Sequence, residues 1–169
     1  MKILKIFLIS SIVGCSSMKF DSSVNYVDLE KYKGDWYVVA ARPTIFESEV
    51  HNGIENYSIK EDQIVITFTY RKGDFQGPKK EVKQKGSVYN HDTNAHWKVS
   101  PFWPLSFDFL VLALADDYSW TAVGVPSGKY LWVMSREYDI SREKVDLMLD
   151  KIKASGYPIH DIQYIPHKY

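Results

Sequence analysis

The chain has one cysteine, Cys15, at the end of an apolar run from Ile6 to Val13 that follows two lysines. With no second cysteine, an intrachain disulfide is ruled out, and the thiol stands out as a target for modification. The five histidines, His51, His91, His96, His160 and His167, fall in no H-E-x-x-H or other ligand spacing, so neither a metal nor a cofactor is expected. The stretch "GVPSGK" at 124–129 is one residue short of a phosphate loop and lacks the following Ser or Thr, so it reads as a hairpin turn. No G-x-S-x-G elbow offers a serine nucleophile. Asp108 or Glu81, near the expected mouth, remains as a candidate for acid/base chemistry. The other chemistry is aromatic: Trp36 follows Gly34 at the start of an alternating strand, and Arg136 closes another. A guanidinium laid over an indole gains about 0.5 to 2 kcal/mol, depending on desolvation.

The elements that would position these groups are mostly strands. At 169 residues, with 45% hydrophobic and 15% aromatic side chains, the chain suits one domain with a large core. Lys plus Arg equals Asp plus Glu, 21 each, which argues against a nucleic-acid binder. Short Val-, Ile-, Phe-, Tyr- and Trp-rich segments separated by turn residues predict strands near 36–42, 53–60, 63–70, 81–89, 95–100, 107–114, 119–125 and 129–136. Ser141 can cap a helix whose Val145, Met148, Leu149 and Ile152 share one face, with Ile140 stapled to Val145 and Gly156 and Pro158 ending it. A short strand at 161–165 could follow. Eight meandering strands leave two open edges unless the sheet closes, so the economical fold is all-β, an eight-stranded antiparallel up-and-down barrel with the C-terminal α-helix packed outside.

In such a meander the first strand leaves the end of the barrel to which the eighth returns, which sets Arg136 level with Trp36. Trp36 then plugs a floor and Arg136 covers it. Strand alternation from Arg136 places Met134, Trp132 and Tyr130 inside and Leu131 and Val133 outside, towards the helix; from Trp36 it places Val38 and Ala40 inside.

Two resemblances sharpen this reading. Ile12-Val13-Gly14-Cys15 resembles a bacterial lipobox, which implies a signal peptide over 1–14, lipidation of Cys15 as a membrane anchor and a tether over 15–24. The apolar run is too short to stay as a transmembrane helix. An ordinary signal peptide with an incidental cysteine is the alternative. Ser16, where an aspartate would favour the inner membrane in the resembled system, points to the outer membrane. The region 25–169 resembles the lipocalin family, and its bacterial branch in particular, through Gly34-Asp35-Trp36, Asp117-Tyr118 and Arg136 in that order; Ala115 departs from the usual Leu-Asp-x-x-Tyr. The resemblance implies a structural floor of Gly34, Trp36, Asp117, Tyr118 and Arg136. By the family's parity it also implies an inner face of Phe107, Phe109, Val111 and Ala113 on the sixth strand. A ligand site of Val38, Ala40, Phe107, Phe109, Val111, Tyr130, Trp132 and Met134 is therefore expected, with Ala40 and Ala113 leaving room along the axis.

The function expected is binding, and storage or transport, of a fatty acid or lysophospholipid by an outer-membrane lipoprotein that is not an enzyme. A lipid hydrolase on the same barrel and an envelope protein with a filled barrel are the alternatives, and homodimerisation stays open. The basic turn 71–80 and the apolar turn with Phe102, Trp103 and Leu105 sit at the expected mouth and suit an anionic headgroup or a membrane surface, with ordinary solvated turns as the alternative.

Overall fold

The computed structural model describes residues 20–44, 49–102 and 104–169. Residues 1–14, Cys15, the first part of the tether and Trp103 lie outside the described residues. Eight antiparallel strands follow in chain order: β1 Gly34–Arg42, β2 Val50–Lys60, β3 Gln63–Lys72, β4 Lys79–Asn90, β5 His96–Ser100, β6 Phe107–Leu114, β7 Trp120–Gly124 and β8 Leu131–Ser135. Each pairs with the next, β8 pairs with β1, and β1 returns to β2, so the sheet closes into the expected barrel. The expected helix forms as α2, Arg142–Ala154, with the Ser141 side chain accepting from Lys144 N–H and with Val145, Met148, Leu149 and Ile152 buried. A one-turn helix, α1 Leu29–Tyr32, precedes β1 and is capped by Asp28, whose carboxylate accepts from the Glu30 and Lys31 N–H groups.

Closure is shared between two partners. β1 pairs with β2 only over Gly34–Tyr37. Higher up, the edge of β1 at Ala40 and Ala41 is taken by the ninth strand, β9 Gln163–Tyr164. Ile165 N–H bonds Val39 O at 3.0 Å and Asn52 N–H bonds Pro166 O at 2.9 Å, so the C-terminal segment fills the gap where β1 and β2 diverge. This satisfies backbone groups that the splayed strands would leave unpaired.

Two apolar clusters lie on either side of the wall. Inside are Trp36, Tyr57, Ile64, Ile66, Phe68, Trp97, Val99, Phe109, Val111, Trp132 and Met134 with their neighbours. Outside, Val39, Ala40, Leu110, Leu112, Ala122, Leu131 and Val133 meet the buried face of α2 and Tyr157. Leu131 and Val133 thus face the helix and Trp132 and Met134 the interior, as alternation along β8 requires.

Two expected positions are corrected by β-bulges. Val38 stands opposite Met134 but Ala40 stands opposite Val133, so β1 carries one extra residue there and its alternation reverses. Ala40 therefore lies in the outer cluster and Ala41 in the inner one. In β6, Val111 opposes Val123 while Ala113 opposes Ala122, and the same reversal sends Ala113 outward and Leu114 inward. The small side chains Ala40, Ala113 and Ala122 leave room for α2 against the wall, not for a ligand along the axis.

Candidate ligand site in the barrel

The floor is built by the lower ends of β1 and β8 together with α1. Trp36 is fully buried and its indole N–H donates to Tyr32 O at 2.8 Å. The Arg136 guanidinium lies over the Trp36 ring with Cζ 3.6 Å from the centroid. Its Nη1 donates to Asp35 O at 2.7 Å, and its Nη2 is shared among Lys31 O, Tyr32 O and Lys33 O at 2.9, 3.2 and 3.0 Å. Arg136 therefore caps the C-terminal carbonyls of α1 and holds that helix under the barrel. Gly34 has a φ of +95°, and the position of a Cβ there would be 3.6 Å from Arg136 Nη1. Tyr118, itself at a φ of 59°, accepts a hydrogen bond from Asp28 N–H through its hydroxyl at 2.8 Å. The Asp117 carboxylate accepts from Ser119 N–H at 3.0 Å and shapes the same turn.

Above the Trp36–Arg136 pair sits a stack of rings that the sequence reading did not place. Tyr32 lies 5.2 Å from both Tyr57 and Trp97, edge to face in each case. Glu55 is buried beside them and accepts from the Tyr57 hydroxyl at 2.5 Å. Burial first, and then the Glu55 carboxylate, push the Tyr57 phenol well above its ordinary value. The Tyr32 hydroxyl pairs with Thr121 Oγ1 at 3.2 Å. The lower half of the barrel is thus filled by side chains. Asp28 followed by an acidic first turn was the one sequence signal for α1; nothing in "NGIENY" marks Glu55 as an interior carboxylate.

The upper half is different. Phe109 and Trp132 stack at 5.3 Å with planes 17° apart, Tyr130 lies 6.1 Å from Trp132, and Phe68 stacks on Tyr70 at 5.0 Å. Val38, Val111 and Met134 are buried deeper in the same cluster. At the rim the inner face meets solvent: Val82 opposes buried Phe68 yet is 41% exposed, and Phe107 opposes buried Val99 yet is 44% exposed. Phe107, expected within the pocket, therefore marks its entrance. The reason lies in strand length. β4 has 12 residues and β5 only 5, so β4 pairs with β5 from Lys85 onward and its upper part, Lys79–Gln84, has no β5 partner. Lys80 opposes Tyr70, Val82 opposes Phe68 and Gln84 opposes Ile66, which gives this notch a lysine, an apolar group and an amide on its inner face.

Asp108, the candidate acid, turns to the outside. Its carboxylate holds Lys98 Nζ at 2.5 Å and His96 Nε2 at 2.6 Å. Partial burial pulls its pKa upward, but the hydrogen bonds and charges of Lys98 and His96 outweigh it and keep the carboxyl below the usual range. Glu81 pairs with Lys83 at 3.3 Å on the surface. The two do not converge on an interior site. Arg42, also unassigned from sequence, is buried on the outer side and donates to Lys129 O, Gly128 O, Pro158 O and His160 O, tying the β7–β8 turn to the segment after α2. Among the described residues no group of three His, Cys, Asp or Glu side chains could hold a metal ion.

The family model for a lipocalin-like domain matches residues 27–167. The outer membrane lipoprotein Blc of Vibrio cholerae is 27% identical over 154 residues, covering 90% of each chain. The protein of the same name from Citrobacter freundii is 30% identical over 161 residues, covering 91% of this chain and 89% of its own. Among solved structures, insecticyanin from the tobacco hornworm Manduca sexta shares the fold with a TM-score of 0.65 at 15% identity, over 91% of this chain and 86% of that one.

Proposed function

The chain belongs to the lipocalin-like family, and on that premise we propose that its barrel takes the acyl chain of a fatty acid or lysophospholipid through the notch beside β4. Like its bacterial relatives it is a lipid-anchored protein of the outer membrane, and we assign the anchor to Cys15. The observation that carries the ligand reading is the pair of inward-facing, solvent-exposed residues Val82 and Phe107 above the stacked Phe109 and Trp132. Apolar side chains directed into a barrel and still wet favour an occupant that removes that surface from water. Each buried methylene adds about 0.8 kcal/mol of transfer free energy, against association costs of about 4 to 15 kcal/mol, which sets affinity for a single chain near the micromolar range.

The ligand wall comprises Phe107, Phe109, Tyr130 and Trp132, with Val38, Val111 and Met134 at its base; Ala40 is no part of it. Lys80, on the inner face of the notch, meets the carboxylate or phosphate of the ligand. The test is a titration of the purified protein with palmitate, with lysophosphatidylglycerol and with an uncharged monoacylglycerol, repeated for Lys80→Gln. The substitution should weaken the two anions and leave the uncharged lipid unchanged. Equal weakening of all three, or of none, would remove Lys80 from the site.

A further inference from the structure

We propose that the barrel docks mouth-down on the anionic lipid surface that holds its anchor, with the β5–β6 loop set among the headgroups. The proposal rests on the reading of Cys15 as the anchor. Phe20 fixes the geometry. Its N–H donates to Pro126 O at 2.7 Å, and its ring packs edge-on to Tyr157 at 5.0 Å. Pro126 belongs to the β7–β8 turn, at the end of the barrel away from Trp36. From Phe20 the chain descends towards the floor, with Val24 N–H on Val111 O at 2.9 Å, Val27 N–H on Thr93 O at 2.8 Å and Asp28 N–H on the Tyr118 hydroxyl. Phe20, the first described residue, therefore stands at the mouth end. Cys15 is five residues before Phe20, and a fully extended chain of that length spans at most about 18 Å. Strand β2, with 11 residues at the usual rise and barrel tilt, gives a wall about 28 Å tall. An acylated Cys15 thus holds the mouth close to the lipid and leaves the floor away from it.

The two ends carry the matching chemistry. Beside the β7–β8 turn, the β5–β6 loop exposes Phe102 at 64% and Leu105 at 42%, next to exposed Phe107. Arg71, Lys72, Lys79, Lys80 and Lys129 are exposed at the mouth end of the barrel, against the acids Glu49, Asp74, Glu81 and Asp161. The floor turns and α1 instead expose Glu30, Glu61, Asp62, Asp92, Asp116 and Asp117, against Lys31 and Lys60. An anionic surface attracts the first end, where the apolar loop can enter, and repels the second.

The test uses the full lipoprotein, reconstituted in vesicles of phosphatidylethanolamine and phosphatidylglycerol with spin-labelled acyl chains. An environment-sensitive fluorophore is attached through Ser106→Cys at the mouth or Asp92→Cys at the floor; acylated Cys15 has no free thiol to compete. Flotation with the vesicles, strong quenching at position 106 and none at 92 is the expected result, and Phe102→Asp with Leu105→Asp should abolish the quenching at 106 while flotation persists. A protein that floats with both positions unquenched, or with 92 the more quenched, overturns the orientation alone. A protein that fails to float, with Cys15 itself taking the label, overturns the anchor and the orientation together.

Discussion

Replacing Arg136 with alanine should destabilise the barrel by about 3 to 4 kcal/mol. The guanidinium makes one hydrogen bond to Asp35 O, and a second nitrogen is shared among Lys31, Tyr32 and Lys33 carbonyls. A hydrogen bond with a charged partner contributes about 1.5 to 3 kcal/mol. Nη2 has two hydrogens for three carbonyls and the side chain is half-buried, so two bonds at the low end of that range are the fair estimate. The stacking over Trp36 at 3.6 Å adds about 0.5 to 1 kcal/mol. The assay is urea unfolding, with the slope checked for constancy so that the midpoint reports stability. Arg136→Lys should recover less than half of the loss, because a point charge cannot span both Asp35 O and the end of α1 while lying flat on the indole. With Trp36→Phe as the second change, a double-mutant cycle should return a coupling of about 0.5 to 1 kcal/mol. An alanine cost below about 1 kcal/mol, or a lysine variant as stable as the wild type, would refute the capping role.

The bulge in β1 predicts opposite outcomes for adjacent alanines. Ala40→Leu overpacks the α2 contact and should cost about 1 to 3 kcal/mol in urea melts with ligand affinity retained, whereas Ala41→Leu intrudes beside Trp132 and should lower affinity. The filled lower half predicts that affinity for fatty acids rises with chain length and then levels off where the chain meets the Tyr32, Tyr57 and Trp97 rings; a calorimetric series that climbs without a plateau would place the floor elsewhere. His167 donates from Nε2 to Val38 O at 2.8 Å and is half-buried, and burial lowers its pKa below the ordinary 6.5. The unfolded chain therefore takes the extra proton first as pH falls, so this contribution is complete above the ordinary pKa and is lost progressively below it. His167→Gln, whose amide can still donate, should flatten that part of the stability profile, read as urea midpoints between about pH 7.5 and about pH 5.5.

The barrel was legible because its signals are local. Gly34, Trp36 and Arg136 sit at strand ends that alternation and meander topology place side by side, and the α2 stripe has an unbroken helical period ending at Gly156. Alternation also assigned Trp132, Met134 and Val38 to the interior and Leu131 and Val133 to the exterior. It failed at Ala40, as the parity implied by the family resemblance failed at Ala113, since a bulge adds one residue without altering composition, and "VVAAR" and "FLVLAL" read equally well in either register. Buried Glu55 was hidden for a different reason. Its burial depends on Tyr57 and on rings from α1 and β5, which are far away in sequence. The notch at β4 follows from a difference in strand length that only the pairing reveals.

The ligand site is tested most directly by titrating palmitate into the wild type, Trp132→Glu and Val133→Glu, with urea melts of each in parallel. Trp132 stacks on Phe109 inside the upper barrel, while Val133 lies under α2. One molecule of palmitate per wild-type barrel is expected, with binding lost in Trp132→Glu; Val133→Glu should lose stability and still bind in the fraction that remains folded. A folded Trp132→Glu protein that binds palmitate as tightly as the wild type would contradict the site.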